Sequence, residues 1–306
     1  MAAFSIQIDH PAIKRTRDQS PNIEVFDNAG WTQNACVIYF SSNALYYPNT
    51  EDAIEAALVR DNRFEWKHNR DVTVRREIFV RDVYKQWYLG GISSEVDSIE
   101  RLRDVLRASI DTSMRVTCLG SSAGGYAAAL MGTMLGADLI LVFNAQFSLR
   151  SLLQCADCSE RNPLIWRNRS NPAVTQYLDL KPVLMAREKP LYYFYSCRSA
   201  QDLEQQAHVI SVPCVREVAF RTANHGIPFL RPALNGVLTL NGAQLEALSG
   251  RTYNPIAFSL KHGGLISCLK FLARKGLCRR SADVVRGAGE ARGRQEGDRR
   301  EHVTGE

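Results

Sequence analysis

Residues 116–125 (Val-Thr-Cys-Leu-Gly-Ser-Ser-Ala-Gly-Gly) limit the possible folds of this chain more than any other stretch. They form a G-x-S-x-G pattern between an apolar, strand-like run and a helix-like run of small residues. A serine at a sharp strand-to-helix turn adopts a strained backbone conformation, so only small residues fit two positions before and after it. Gly120 and Gly124 occupy those positions around Ser122. We therefore expect Ser122 to be an exposed, reactive serine at the end of a strand.

This turn has two alternative interpretations. Ser121 as the nucleophile would place Leu119 and Ala123 at the positions that require small residues, so Ser122 fits better. A glycine-rich turn that binds phosphate is the other alternative. The G-x-G-x-x-G fingerprint and the lysine of a P-loop are both absent from the stretch.

Strand-like and helix-like segments alternate along most of the chain, which is typical of a mainly parallel sheet with helices on both faces. Continuous apolar runs such as 35–40 suit strands that are covered on both sides. The predicted strands are 4–8, 23–26, 35–40, 77–80, 115–119, 139–143, 191–196 and 215–220. The predicted helices include 94–108, with Ser94 as its N-cap, then 123–135 and 201–209.

With this motif and this alternation, the chain resembles the α/β-hydrolase superfamily. In that family the nucleophilic serine is followed first by an acid after a later strand and then by a histidine after the last core strand. Here Asp202 lies in the loop after the strand 191–196, and His225 follows the strand 215–220. All three side chains are expected at the carboxyl edge of the sheet.

The resemblance implies a catalytic triad of Ser122, Asp202 and His225. A serine hydroxyl needs a neutral imidazole to accept its proton, and a carboxylate holds that imidazole in one tautomer. For Asp202, two alternatives stay open at this point. It is also placed to cap the helix 201–209, and Glu204 is a second carboxylate close by.

The resemblance also implies an oxyanion hole that uses the backbone N–H of Ala123. The second donor is expected from Ser42 or Asn43, which follow the strand 35–40. The H-G-G-G stretch common in lipases and esterases is absent there, and Asn43 is also expected to contact substrate.

Trp87 and Tyr88 follow the strand 77–80 close to Asp82, and aromatic rings beside a carboxylate suit sugar binding. The alternative is that both rings anchor the core. Together with the sequence Asn-His-Gly-Ile-Pro-Phe at 224–229, this layout is similar to bacterial capsule and surface-polysaccharide O-acetyltransferases of the same fold. That resemblance implies acetyl-CoA as acyl donor, a sugar hydroxyl as acceptor and no tightly bound cofactor.

The expected function is thus serine acyl transfer. Among such reactions, O-acetyl transfer to a carbohydrate hydroxyl is the one expected ahead of the alternatives. A carboxylesterase acting on small acyl esters would use the same residues. A binding or accessory protein on the same fold is the alternative from another class, although an intact Ser, Asp and His set argues against it.

A single domain is predicted over residues 1–278, with 147–188 as a cap-like insertion and 279–306 as a disordered basic tail. The eight cysteines are scattered, and Cys155-Ala-Asp-Cys158 lacks the further ligands of a zinc site, so no metal is expected.

The formal net charge is +6, but ten Lys and Arg against six Asp and Glu lie from Lys270 onward, so the body is close to neutral. This distribution does not predict a nucleic-acid partner. The basic end could meet acidic lipid through a surface helix in 260–277, or simply be a packed helix and a solvated tail. The chain begins with no signal-like segment, so a cytoplasmic protein is expected, with peripheral contact at the inner face of the membrane as an addition.

Overall fold

A computed structural model describes residues 8–154 and 156–274. The predicted tail, 279–306, and all but the last residue of the predicted strand 4–8 lie outside the described residues. Of the CxxC pair, Cys155 also lies outside them. Statements below concern the described part of the chain.

Among the described residues, eight strands form one sheet in the order β1-β3-β2-β4-β5-β6-β7-β8. The strands are β1 (Ile23–Asp27), β2 (Gln33–Phe40), β3 (Val74–Val80), β4 (Arg115–Ser121), β5 (Leu139–Phe143), β6 (Leu191–Ser196), β7 (Val215–Phe220) and β8 (Arg251–Tyr253). β1 pairs antiparallel with β3, and every other pair is parallel. The predicted class, a mainly parallel sheet within an α/β fold, is confirmed.

Burial on both faces explains why the central strands form where their apolar runs lie. All six residues of β6 are buried, and so are the last six of β2 and the last four of β5. Such strands show no polar–apolar alternation, because helices cover both sides of the sheet. The predicted bounds of β5, β6 and β7 match the structure, whereas the predicted β2 and β3 start two and three residues late.

The chain reverses direction through the sheet between β2 and β4. From β2 it crosses to β3 on one side, and then returns to place β4 on the other side of β2. Open α/β sheets bind ligands outside the carboxyl ends of the strands at such a point. The ends of β2 and β4 are therefore where a site is expected.

Helices precede, connect or follow the strands along the described chain. Their bounds are α1 (Pro11–Gln19), α2 (Glu51–Ile54), α3 (Ile99–Ala108), α4 (Ala123–Met134), α5 (Cys158–Arg161), α6 (Pro163–Arg167), α7 (Pro172–Thr175), α8 (Lys181–Met185), α9 (Ala200–Val209), α10 (Leu234–Leu238), α11 (Gly242–Glu246) and α12 (Pro255–Gly263). A π-helical stretch, Glu55–Arg60, continues α2.

The helix predicted from Ser94 begins five residues later, with Ser98 as its N-cap. The prediction failed because the chain first makes a tight turn. The N–H groups of Ile92 and Ser93 both donate to the carbonyl of Val96, and the N–H of Val96 donates to Ser93 Oγ. Those bonds occupy the backbone groups that a helix would need.

The insertion between β5 and β6 carries α5 to α8 and packs firmly on the rest of the molecule. Tyr126 of α4 donates a hydrogen bond of 2.6 Å to the carbonyl of Tyr177. Gln86, after β3, accepts from the N–H groups of Leu164 and Ile165. The insertion thus shares the buried cluster that surrounds the sheet.

The described residues divide into two compact units, where the sequence predicted one domain to residue 278. The larger unit holds the whole sheet and includes residues up to 228 and Leu240–Pro255. The smaller unit contains Phe229–Thr239 and the chain from Ile256 onward. None of the helices in the described residues is both long and apolar enough to span a membrane.

Candidate active site

Ser122 occupies the turn between β4 and α4 with a strained backbone. Its φ is 51° and its ψ is −121°, a conformation that L-residues with side chains rarely adopt. The turn is held in place because the N–H of Ser122 donates 2.9 Å to the carbonyl of Phe143, at the end of β5. Strain of this kind is typical of functional sites, since the surrounding structure must impose it.

The glycines of the motif allow close backbone approach on both sides of Ser122. A Cβ on Gly120 would collide with the carbonyl of Gly124, and a Cβ on Gly124 would collide with the carbonyl of Phe40. Gly124 therefore brings the start of α4 directly against the end of β2. Gly125 performs the same role toward β5, since its Cβ would lie 2.7 Å from the Cβ of Ala145.

His225 contacts the serine from the loop after β7. Its Nε2 lies 2.8 Å from Ser122 Oγ, within hydrogen-bond distance. About one third of the imidazole is exposed, so one side of the ring remains open to solvent. The ring is thus positioned to accept the serine proton when its Nε2 is unprotonated.

Asp202 lies on the other side of the imidazole. Its Oδ1 is 2.8 Å from His225 Nδ1, and its side chain is fully buried. The residue is in the first turn of α9 rather than in the preceding loop, and Ser199 is the N-cap of that helix. Asp202 is therefore not the N-cap of this helix. The other candidate acid, Glu204, lies on the same helix and is exposed.

The position in α9 suits a buried carboxylate, because the amino end of a helix favours negative charge. Asp202 Oδ2 has no hydrogen-bond partner among the described residues. The bond to His225 is therefore the one polar contact found there for this carboxyl group. An acid with a single partner holds that partner in one orientation and one tautomer.

Asn144 fixes the loop that carries His225, and sequence reasoning missed it. Its Nδ2 donates to the carbonyls of Asn224 and Gly226, both at 3.0 Å, on either side of the histidine. Its Oδ1 accepts from the N–H of Ser196, at the end of β6. Asn144 follows β5 directly with a φ of 43° and is completely buried. A polar residue directly after an apolar strand was the signal that could have revealed it.

The two expected oxyanion donors differ in whether their N–H groups already donate a hydrogen bond. Ala123 is the first residue of α4, where N–H groups have no partner within the helix. The N–H of Ser42 instead donates 2.6 Å to Glu65 Oε2, a residue that sequence reasoning did not single out. In this conformation Ser42 is not free to stabilise an oxyanion. Asn43 lies half-buried in the turn that follows.

Trp87 and Tyr88 do not offer a surface for sugars, which corrects the prediction that they bind substrate. Their exposed fractions are 5% and 1%. Trp87 Nε1 donates to Gln146, and the Tyr88 hydroxyl donates 2.8 Å to the carbonyl of Ser41. The core-anchor alternative describes them correctly, because Tyr88 fixes the loop after β3 to the end of β2 and Trp87 fixes it to the segment after β5.

The same loop buries a lysine. Lys85 is 1% exposed, donates 2.5 Å to Asn49 Oδ1 and lies over the ring of Tyr46. Burial lowers the pKa of Lys85 to about 7, and the nearby Asp82 opposes that shift. Asp82 is itself buried, and its carboxylate accepts from three backbone N–H groups of the loop.

No cluster of metal-ligating side chains occurs within the described ranges. Cys158 forms a disulfide bond, which the sequence analysis did not predict. The free thiols found in the described residues are those of Cys36, Cys118, Cys197, Cys214 and Cys268. Four of the five are buried, and burial raises the pKa of Cys36 to about 12.

The order of these elements decides the fold. A strained serine follows β4 at the switch point, an acid follows β6, and a histidine follows β7. The chain has the α/β-hydrolase fold. The predicted resemblance to that superfamily is therefore confirmed at the level of the fold.

No family model and no curated protein matches the sequence. Among solved structures, the capsule O-acetyltransferase of Neisseria meningitidis serogroup A is 11% identical, with a TM-score of 0.46, covering 65% of this chain and 83% of that one. Esterase B from Lactobacillus rhamnosis is 12% identical, with a TM-score of 0.42, covering 87% and 91%.

An α/β hydrolase from a Moroccan lagoon-sediment metagenome is 12% identical, with a TM-score of 0.38, and covers 66% of this chain and 85% of its own. Values this low say nothing about substrate. The assignment of the fold accordingly rests on the strand order and on the turn at Ser122.

Proposed function

We propose that this chain is a serine acyl-transfer enzyme in which Ser122 forms an acyl-enzyme. The observation that carries the proposal is the continuous pair of 2.8 Å contacts from Asp202 Oδ1 through His225 to Ser122 Oγ. Side chains from the turn after β4, the first turn of α9 and the loop after β7 meet in the order that nucleophilic catalysis needs. A site of this kind fits an enzyme with the α/β-hydrolase fold.

In this mechanism Ser122 Oγ attacks the carbonyl carbon of an acyl donor while His225 Nε2 takes the hydroxyl proton. Asp202 stabilises the resulting imidazolium through Nδ1–H. The N–H of Ala123 donates to the developing oxyanion. Collapse of the tetrahedral intermediate expels the leaving group, which takes the proton from His225. An acceptor hydroxyl or water then repeats these steps on the acyl-enzyme and releases Ser122.

For the acceptor, we propose a carbohydrate hydroxyl, with acetyl-CoA as donor, as the sequence resemblance implies. The solved capsule O-acetyltransferase has the same fold but is too distant to argue for a substrate. With Trp87 and Tyr88 buried, any sugar site uses other residues.

Hydrolysis of small acyl esters is the second candidate. The contact between His225 and Ser122 is open to solvent. Water can therefore reach the acyl-enzyme unless a bound acceptor excludes it. A carboxylesterase needs no more than the catalytic residues already described.

The experiment is intact-mass spectrometry of wild type and Ser122→Ala after incubation with a small activated acetyl ester or with acetyl-CoA. Ser121→Ala serves as the matched control, because it removes the neighbouring hydroxyl. The proposal expects one added acetyl group on wild type and on Ser121→Ala, and none on Ser122→Ala. Discharge by an oligosaccharide but not by water would indicate the transferase, and rapid discharge by water the esterase. A folded wild type that never acylates would favour a binding protein.

A further inference from the structure

The end of the described chain carries an exposed apolar helix face. Residues 265–274 are helical, and four large apolar side chains on them are strongly exposed. The exposed fractions are 59% for Leu265, 69% for Ile266, 54% for Leu269 and 41% for Leu272. Spacings of one, four and seven residues place all four on one side of the helix. We call these four residues the apolar face.

This helix is attached to the smaller unit through Cys268, which at 100° per residue lies next to Leu272 at one edge of the apolar face. Cys268 is completely buried, and its Sγ lies 3.3 Å from the carbonyl of Ser259 on α12. Within the same unit, α12 packs closely on the segment Phe229–Thr239. Ser259 Oγ accepts 2.8 Å from the N–H of Leu230, and the rings of Phe229 and Phe258 lie 5.2 Å apart. The helix therefore has a fixed inner side, and the apolar face points outward.

The charge around the apolar face has one sign. The described residues of the smaller unit, 229–239 and 256–274, contain no Asp or Glu. Their basic residues are Arg231, Lys261, Lys270 and Arg274. At 100° per residue, Lys270 lies beside Ile266 at the edge of the apolar face, and Arg274 lies one turn further along the helix, beyond Lys270. An apolar face with cations along one border, and with no anions in the described part of the unit, is complementary to an anionic, apolar partner.

We propose that this helix binds the surface of a membrane that contains anionic lipids. The apolar face would enter the boundary between headgroups and acyl chains, and the flanking cations would remain at the level of the phosphates. Basic residues close to such a surface are attracted to it, and salt weakens that attraction. The proposal is independent of the acyl-transfer function, because no residue of the candidate active site takes part.

The test is flotation of the full-length protein with phosphatidylcholine vesicles, either pure or containing about 30% phosphatidylglycerol. The variants are Leu265→Ser/Ile266→Ser/Leu269→Ser/Leu272→Ser, which removes the apolar face, and Lys270→Glu/Arg274→Glu, which reverses the adjacent charge. Because all these side chains are exposed, the variants should fold. The matched control is Leu203→Ser/Ile210→Ser, which removes exposed apolar side chains from α9.

We expect wild type, the control and Ser122→Ala to bind the anionic vesicles, and both helix variants to lose about tenfold or more in vesicle affinity. Salt should weaken binding. Equal binding to neutral vesicles, or undiminished binding by the serine variant of the apolar face, would overturn the proposal. So would a wild-type dimer in light scattering that the same serine variant converts to monomer, because the apolar face would then be the contact between two copies.

Discussion

The backbone N–H of Ser42 donates a hydrogen bond of 2.6 Å to the Oε2 atom of Glu65. Ser42 is the second residue after the end of β2, and Gly124 brings the start of α4 against that same end. The Ser42 N–H is thus the expected second donor of the oxyanion hole, and a carboxylate already occupies it. An acyl oxyanion and Glu65 would compete for one proton donor.

Replacing Glu65 should therefore accelerate the proposed reaction. Hydrogen bonds to a carboxylate are stronger than those to a neutral amide. Glu65→Gln keeps the shape of the side chain but weakens the competing bond by about 1 kcal/mol, which corresponds to about a fivefold rise in kcat for a small ester. Stopped-flow measurement of acylation would show it. The control is Glu188→Gln, an exposed carboxylate elsewhere. An unchanged or lower rate would mean that Ser42 does not serve the oxyanion.

Asp202 and Glu204 can be separated by one pair of isosteric changes. Asp202→Asn should lower kcat on the order of 10³- to 10⁴-fold, because an amide cannot stabilise the imidazolium or enforce the correct tautomer. Glu204→Gln should retain wild-type kcat, since its side chain is exposed. Steady-state hydrolysis of an activated ester measures both. Comparable losses in the two variants would contradict the assignment of the acid.

Asn144→Ala should impair both stability and turnover. It removes the amide that donates to the carbonyls on either side of His225, at a cost of about 1–3 kcal/mol in unfolding free energy, while Ser196 Oγ continues to donate to the Asn224 carbonyl. A misplaced imidazole should also lower kcat about tenfold to a hundredfold, with little change in KM. Urea unfolding and ester kinetics below the transition would test this. Asn34→Ala, which removes an exposed hydrogen bond, is the control. Lost stability with full kcat would indicate a purely structural amide.

Lys85 should make the protein more stable as pH rises above neutral. Its folded pKa of about 7 lies below the ordinary value of 10.5, so between these values the unfolded chain binds a proton that the folded chain does not. Within that window stability should rise by up to about 1.4 kcal/mol per pH unit. Below pH 7 both states are charged and the full burial cost remains.

Urea unfolding of wild type and Lys85→Met at several pH values from 6.5 to 9.5 would isolate this effect. Methionine keeps most of the volume over Tyr46 but does not titrate. The unfolding free energy of the variant should not rise with pH. Its stability should exceed that of wild type by the largest amount near pH 6.5. Parallel plots of unfolding free energy against pH for the two proteins would show that Lys85 does not cause the slope. The charges of Asp82, Glu65 and Arg63 lie nearby in both proteins, so the comparison isolates Lys85.

The sheet was predictable because its central strands are continuous apolar runs with polar or glycine boundaries. β5, β6 and β7 were placed correctly for this reason. β8 was missed because it has only three residues, two of them exposed, so it has no apolar pattern. The choice of Asp202 and His225 came from the resemblance to the α/β-hydrolase superfamily, and parallel strands direct their carboxyl ends to one edge.

What could not be predicted depends on contacts between distant segments. Glu65 follows no strand, and its bond to Ser42 arises from how one loop folds over another. Trp87 and Tyr88 both have a positive φ, at 53° and 62°, and these reversals turn their rings into the protein. An aromatic pair near a carboxylate gives the same sequence pattern whether the rings point outward or inward.

The contact between Gly124 and the carbonyl of Phe40 also limits how this scaffold can be engineered. Even a methyl group at position 124 would push α4 away from β2. The distance between the serine and its oxyanion donors would then increase. A randomised library aimed at new substrates should leave Gly120 and Gly124 fixed. Diversity belongs in the surrounding loops, where a side chain can change without altering the spacing of the backbone that holds the chemistry.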